Sequence, residues 1–183
     1  MKTITDQNNN VVPAWKVITD AQNGRLPKFA IVTPIAENSQ HNRNSMALGD
    51  NWIGSVLSAI QNGPDWSTTA VFLTWDDCGC FYDHVPPPNS EQGIRVPMII
   101  ISPFAKARFT DSNDATFASL LAFTEHTFGL APLNSEDGSA YDYNDSFKFE
   151  QIPLAPVPMT RTPIPAWERR WLATHPGDPN DGT

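Results

Sequence analysis

The chain has 183 residues, enough to bury the core of one domain, and its formal net charge is −8. No basic stripe offsets this charge, which argues against nucleic acid as a partner. No apolar run approaches the roughly 20 residues of a membrane-spanning helix, and Met1–Gln7 lacks the features of a signal peptide.

The first part of the chain contains one predicted strand and one predicted helix. The β-branched run Lys28–Thr33 predicts a strand. A helix follows, with Asp50 as its N-cap and Gly63 just beyond its end. Its apolar stripe consists of Trp52, Ile53, Val56, Leu57 and Ile60.

Two further apolar runs and a second helix follow. The runs Thr69–Trp75 and Val96–Ser102 predict strands, and their continuous rather than alternating hydrophobicity indicates strands buried on both faces of a parallel sheet. The segment Ala115–Phe128 predicts a helix that Gly129 ends. Strands alternating with helices indicate an α/β fold.

The composition changes towards the end of the chain. Prolines cluster in Pro153–Pro165, which therefore cannot form the interior of a regular sheet. A short helix is predicted over Ala166–Thr174, anchored by Trp167 and Trp171, and residues 176–183 are expected to be disordered. We therefore divide the chain into residues 1–153 and a proline-rich tail, 154–183.

The densest group of reactive side chains follows the second predicted strand. Asp76 and Asp77 stand directly after it, and His84 comes seven residues later. Because a backbone turns where a strand ends, two successive carboxylates can meet one cation at the carboxyl edge of a sheet, where α/β folds bind ligands. Two oxygen ligands and an imidazole suit a divalent metal ion used for hydrolysis. The alternative is a turn or a helix cap.

Two cysteines lie within the same run. Cys78 and Cys80 either chelate a soft metal, form a strained disulfide or pack as small residues under a turn. Two thiolates without further cysteines are too few for an ordinary zinc site, so packing is favoured. A structural zinc module would be abolished by thiol alkylation.

The run Thr-Trp-Asp-Asp-x-Gly-x-Phe-Tyr-Asp-His-Val-Pro-Pro-Pro resembles the signature of the bacterial phosphoesterase family, which includes phospholipases C and AcpA-type acid phosphatases and is related to the alkaline phosphatase superfamily. The resemblance covers about residues 15–153, although Cys80 stands where the family usually has glycine. Further segments match in the same order: Gly24–Pro27, Ser39–His41, Gly49–Trp52, Gly93–Pro97 and Phe128–Leu130.

The resemblance implies a fold, a cofactor and site residues. The fold is a three-layer α/β/α arrangement with a mostly parallel sheet, incomplete here. Asp76 and Asp77 correspond to an acidic pair that ligates a divalent metal ion. His41 corresponds to a histidine that contacts a phosphate oxygen or protonates a leaving alkoxide. Asn42 replaces the proline that usually follows it in the family. The alternative is that His41 only caps a backbone carbonyl. His84 either lies beside the site or fixes its loop, with Asp83 as orienting partner or turn cap.

The implied activity is hydrolysis of phosphoric esters, with a phospholipid or a phosphomonoester as substrate and a secreted or periplasmic location. The family's Glu-Asn-Arg-Ser-like metal motif and its Ser or Thr nucleophile are not found here, so we expect a C-terminal part whose isolated form is inactive. Where the family often has a histidine, this chain has Asp111-Ser112-Asn113. The alternative is a non-catalytic remnant or binding module; an in-frame upstream sequence with the missing motif would discriminate between the two.

Overall fold

The computed structural model describes residues 10–79, 81–90 and 92–175. The strands in this part of the chain are β1 (Val71–Thr74) and β2 (Met98–Ile101), and the α-helices are α1 (Lys16–Gln22), α2 (Met46–Gln61), α3 (Phe117–Phe128), α4 (Ser135–Ser139) and α5 (Ala166–Thr174). Short 3-10 helices lie at Ala36–Asn38, Trp66–Thr68 and Asn144–Ser146. No helix in the described ranges is long and apolar enough to cross a membrane.

The chain divides into two compact units. Unit 1 comprises Met1–Trp66, Thr74–Pro97 and Pro156–Thr183, and unit 2 comprises Ser67–Leu73 and Met98–Ala155. In unit 1, α1 packs against α2, and α2 also contacts the 3-10 helix before it. Buried apolar side chains form the core of unit 1: Val17, Ala21, Val56, Leu57, Ala59 and Ile60.

Helix α2 begins one turn earlier than predicted. Its N-cap is Ser45, whose hydroxyl oxygen accepts a hydrogen bond from the Leu48 backbone N–H at 3.1 Å. The prediction of Asp50 as N-cap is therefore wrong, because that residue lies inside the helix. The predicted apolar stripe is confirmed at its C-terminal part, where Val56, Leu57 and Ile60 are buried.

A glycine allows α1 and α2 to approach each other closely. A Cβ atom at Gly63 would lie 2.4 Å from the backbone oxygen of Ala21. No side chain fits at that distance, so the end of α2 and the end of α1 can meet only over a glycine.

The predicted strand Lys28–Thr33 is wrong. This segment has no strand structure, and the side chains of Phe29 and Ile31 are 52% and 81% exposed. A β-prone run forms a strand only where a neighbouring strand accepts its backbone hydrogen bonds. No described strand pairs with these residues.

The sheet of unit 2 differs from the prediction. Its two strands, β1 and β2, pair antiparallel, and a mostly parallel sheet is not seen among the described residues. Both strands are only half-buried, and Ile99 is 49% exposed. The two continuous apolar runs therefore did not form strands that are buried on both faces, as had been predicted. At the coarser level, the mixture of helices and strands agrees with the predicted α/β class.

Helix α3 confirms its prediction. Thr116 and Ser119 form a capping box at its start, and Gly129 ends it in the left-handed conformation with φ 65°. Its Phe123 ring packs against Phe72 at 4.8 Å and against Phe147 at 5.3 Å between ring centroids. These aromatic contacts form the core of unit 2.

The C-terminal segment belongs to unit 1. Residues 156–165, here called the strap, have no regular secondary structure, as predicted for this proline-rich stretch. Helix α5 has the predicted bounds, but Trp167 and Trp171 do not anchor it, since they are 64% and 41% exposed. The half-buried side of α5 instead carries Glu168 and Leu172. The expected disorder of residues 176–183 falls outside the described residues.

Candidate functional site

Two loops of unit 1 carry the predicted site residues. The histidine loop, residues 39–44, lies between the first 3-10 helix and α2 and contains His41. The aspartate loop, residues 75–85, follows β1 and contains Asp76, Asp77 and His84.

Gln40 joins the two loops. Its side-chain oxygen accepts a hydrogen bond from the Trp75 indole N–H at 3.1 Å, and its side-chain nitrogen donates to the Met46 backbone oxygen at 3.1 Å. The residue after Gln40 is His41 and the residue after Trp75 is Asp76. The bond between the two side chains therefore places the backbones of the histidine and the first aspartate in neighbouring loops.

The position of Gln40 depends on a glycine in the second turn of α2. A Cβ atom at Gly49 would lie 2.2 Å from Cγ of Gln40 and 2.9 Å from the backbone oxygen of Asn38. Gln40 and Arg43 both have left-handed backbones, with φ 62° and 71°. Non-glycine residues rarely adopt this conformation, so tertiary contacts must hold the histidine loop in shape.

His41 is half-buried and its ring is oriented by the backbone. The ring Nδ1 lies 3.1 Å from the carbonyl oxygen of Asn42. Because a carbonyl only accepts, Nδ1 is the donor, and in the neutral ring the lone pair resides on Nε2. Nδ1 of His41 therefore caps a backbone carbonyl, as the alternative interpretation of this histidine predicted.

The two predicted metal-binding carboxylates are both exposed, but they are not equivalent. Asp77 accepts a hydrogen bond from the Gly79 backbone N–H at 2.6 Å, and Gly79 turns the chain with φ 57°. Asp76 has no hydrogen bond or ion pair with any described residue. Asp77 therefore shapes the turn, as in an Asx-turn, while Asp76 presents an uncommitted carboxylate.

The chemistry of these donors fits a hard divalent cation, but their number is small. Two neighbouring carboxylates are oxygen ligands of the type that Mg²⁺ and Ca²⁺ take, with about six or more ligands in total. In the described ranges, no three residues among His, Cys, Asp and Glu are grouped closely enough to hold a metal ion. Asp76 and Asp77 alone therefore supply too few ligands to complete the coordination of such an ion.

The end of the aspartate loop is fixed by an ion pair. Arg95 donates two hydrogen bonds to Asp83, each 2.8 Å long, and the Val85 backbone N–H donates a third at 2.9 Å. The bonds from Arg95 and then Val85 lower the pKa of Asp83 to about 2. Nδ1 of His84 lies 3.7 Å from Asp83, too far for a hydrogen bond, and its side chain is 81% exposed. Asp83 is thus a turn cap and a partner of Arg95, and a catalytic role of His84 stays a prediction.

Two further features of the sequence analysis are the cysteine pair and Asp111. Cys78 is half-buried in the aspartate loop, and Cys80 is outside the described residues. Asp111 belongs to unit 2, where it accepts hydrogen bonds from the hydroxyls of Tyr141 and Ser146, both at 2.6 Å. Burial raises the pKa of Asp111, but the bonds from Ser146, Tyr141 and Asn113 outweigh it and hold this pKa at about 2. Burial and the Asp111 carboxylate raise the pKa of Tyr141 to about 12.

Sequence reasoning did not assign roles to Gln40 or Arg95, which hold the loops. A signal for both existed, because each lies within a segment that resembles the family, Ser39–His41 or Gly93–Pro97. Their partners, Trp75 and Asp83, are also inside the signature. The sequence spacing does not reveal that Gln40 contacts Trp75 or that Arg95 contacts Asp83, because these partners are 35 and 12 positions apart.

Comparison with known proteins gives a consistent result. The model of the Phosphoesterase family matches residues 2–131. Non-hemolytic phospholipase C of Burkholderia pseudomallei is 31% identical over 49% of this chain and 17% of its own length. Non-specific phospholipase C6 of Arabidopsis thaliana is 26% identical over 67% of this chain and 29% of its own, and phospholipase C A of Mycobacterium tuberculosis is 26% identical over 75% and 32%. The chain thus spans about a third or less of these relatives.

Proposed function

Since this chain belongs to the Phosphoesterase family, we propose that it contributes the histidine loop and the aspartate loop to the hydrolysis of phosphoric esters. The observation that carries the proposal is the hydrogen bond of 3.1 Å between Gln40 and Trp75. It ties together the two loops in which a candidate proton carrier, His41, and a candidate cation ligand, Asp76, are the next residues along the chain.

The proposed cofactor is a divalent metal ion held in part by Asp76 and Asp77. Such an ion, when bound, polarises phosphoryl oxygens and stabilises the charge that develops on them. Asp76 supports this role because it is exposed and has no partner in the described chain. The further ligands lie beyond this pair.

His41 is the proposed proton carrier or phosphate contact. With Nδ1 donating to the Asn42 carbonyl at 3.1 Å, a protonated ring presents Nε2–H to a phosphate oxygen or to a leaving alkoxide. A general acid of this kind gives up that proton and regains it within one catalytic cycle. The reaction also needs a nucleophile, for which the resemblance implies a Ser or Thr that we do not assign to any residue of this chain.

The proposed substrate is a phosphodiester of the phospholipid type. The support is that the relatives named above are phospholipases C. A phosphomonoester is the competing substrate, and both carry the same phosphoryl group to the loops.

We extend the proposal to a secreted or periplasmic location, which the family resemblance implies. Cell fractionation tests this location.

A finer fold proposal concerns the sheet. We propose a three-layer α/β/α arrangement with a mostly parallel sheet for the complete family domain, in which the apolar face of β2, where Ile99 is 49% exposed, is covered. The support is the match of the Phosphoesterase family model to residues 2–131.

The test is an assay of two preparations, the 183-residue chain and the product of the whole reading frame, with p-nitrophenylphosphorylcholine and p-nitrophenyl phosphate and with added divalent metal ions. We expect metal-dependent turnover of the diester by the whole product and little by the 183-residue chain, because positioning a nucleophile accounts for several kcal/mol of the barrier. An Asp76→Asn control excludes contaminating phosphatase.

The competing hypothesis is a binding module without catalysis. It is favoured by the finding that no three potential ligands are grouped in the described ranges. Divalent-metal binding without turnover in any preparation would support it and overturn the hydrolase proposal. Turnover by the 183-residue chain itself, abolished by Asp76→Asn, would show that these residues contain a complete site.

A further inference from the structure

A groove of about 270 Å³ lies where the strap crosses α2 and enters α5, all within unit 1. It is lined by Asn51, Arg161, Thr162, Pro163, Ile164 and Arg169. An open groove of this volume is larger than a bare oxyanion needs. None of the candidate site residues in the two loops lines it.

The wall of the groove is held by a reciprocal pair of hydrogen bonds. The Asn51 side-chain oxygen accepts from the Thr162 backbone N–H at 2.7 Å, and its side-chain nitrogen donates to the Thr162 backbone oxygen at 2.9 Å. An additional bond of 3.2 Å runs from the Thr162 hydroxyl to Asp50. These bonds hold the backbone of Thr162 in place. The position of the neighbouring Arg161 is therefore restricted as well.

The two arginines of the groove have no carboxylate partner. Neither Arg161 nor Arg169 makes an ion pair or a side-chain hydrogen bond with any described residue, whereas Arg95 is bound twice by Asp83. The chain has 20 acidic and 12 basic residues, so carboxylates are plentiful. Two guanidinium groups that line one groove, with no carboxylate partner among the described residues, suit an anion from outside the chain.

We propose that this groove binds the phosphate group of an organic phosphate ester. The planar guanidinium fork matches phosphate oxygens in a bidentate manner, and two forks can share one phosphate. Pro163 and Ile164 supply an apolar wall for the organic part of the ligand. The site is a binding site without chemistry, and it stands whether or not the proposed hydrolysis at the two loops is correct.

Two carboxylates near the groove limit its positive potential. Asp50 accepts from the Thr162 hydroxyl, and Glu168, beside Arg169 in the chain, is hydrogen-bonded by the Ser45 hydroxyl. We therefore expect binding that weakens between 50 and 200 mM salt, since the arginines are exposed and their charges are screened over about 10 Å at 0.1 M.

The experiment measures binding of phenylphosphonate to the full 183-residue chain by isothermal titration calorimetry in EDTA. Its phosphorus–carbon bond has no ester to hydrolyse, and EDTA keeps divalent metal ions away from the aspartate loop. We expect Arg161→Gln and Arg169→Gln each to weaken binding about tenfold, in line with the loss of a charge-assisted hydrogen bond. Arg170→Gln is the matched control, because it makes the same charge change at the next position, outside the groove.

A second arm separates a soluble ester from a lipid headgroup. Sedimentation with phosphatidylcholine vesicles containing phosphatidic acid, with and without phenylphosphonate as competitor, shows which source the groove prefers. Binding of either probe that depends on Arg161 and Arg169 supports the proposal. Absence of binding by the wild-type chain, or equal losses in Arg169→Gln and Arg170→Gln, overturns it. Circular dichroism of each variant verifies that the exposed substitutions leave the fold intact.

Discussion

Asp76 and Asp111 are both loop aspartates, but their surroundings are opposite. Asp111 in unit 2 accepts hydrogen bonds from two hydroxyls at 2.6 Å and from the backbone N–H and side-chain amide of Asn113. Asp76 in unit 1 is exposed and receives no hydrogen bond from a described residue. A carboxylate whose lone pairs are filled by the protein stabilises the fold, whereas one without internal donors is available to a ligand from outside.

The largest expected effect separates these two roles at Asp76. We expect Asp76→Asn, and likewise Asp77→Asn, to lower turnover of the active protein and its divalent-metal affinity about 100-fold, because the anionic ligand that holds the ion is lost. The thermal unfolding midpoint of Asp76→Asn should not change. Elemental analysis and phosphodiester turnover check this, with the exposed Asp114→Asn as control. Full activity in both variants would remove the metal assignment.

The reverse pattern is expected at Asp111. Asp111→Asn should reduce the free energy of unfolding by about 1–3 kcal/mol, since the Tyr141 and Ser146 hydroxyls lose a charged acceptor. Turnover per folded molecule should stay at the wild-type level. Urea unfolding followed by tryptophan fluorescence measures the first quantity. Unchanged stability together with reduced turnover would show that Asp111 has a catalytic role instead of a structural one.

An intermediate effect is expected at Gln40, which serves both fold and site. Gln40→Ala removes two side-chain hydrogen bonds and should lower the free energy of unfolding by about 1–2 kcal/mol. Turnover should fall as well, because the two loops lose their link, and the fluorescence of Trp75 should shift. Gly49→Ala should reproduce these changes, since its Cβ would occupy the place of the Gln40 side chain. Normal turnover in both variants would show that the link is not needed.

The smallest effect concerns acid pH and Asp83. Its pKa of about 2 in the folded state lies below the ordinary value of 3.8, so the folded form binds fewer protons between these values. The contribution of the Asp83–Arg95 pair is therefore complete above pH 4 and is lost as the pH falls through 2. Hydrogen exchange of the Val85 amide should accelerate over this range in the wild type. In Arg95→Gln the acceleration should begin at higher pH, with the exposed Arg25→Gln as control.

Helices were more predictable from the sequence than the sheet. The start of α5 follows from Pro165, which stands directly before its first residue, and the end of α3 follows from Gly129, which stands directly after its last. The run Lys28–Thr33 has equally strong local signals for a strand, but a strand requires a partner, and none is present in the described chain. The start of α2 was misplaced because Ser45 and Asp50 are both good caps, and only tertiary contacts discriminate between them.

The candidate site was predictable in its residue types but not in its connections. The signature gives Asp76 and Asp77 as candidates and the resemblance adds His41, and their roles stay predictions. The contacts that orient them depend on Gln40, whose left-handed backbone and contact with Gly49 no periodicity reveals. The engagement of Asp111 by Tyr141 and Ser146 is likewise a product of the tertiary fold.

The pairing of Asn51 with Thr162 also has a consequence for the order in which the protein assembles during synthesis. These partners are 111 residues apart, so at 5–20 residues per second the ribosome needs about 5–20 s between them. During that interval α2 can fold against α1 while its strap-facing side, with Asn51, stays hydrated or in contact with a chaperone. The arginine-lined groove is therefore among the last surfaces to form, and a chain stalled before the strap would lack it.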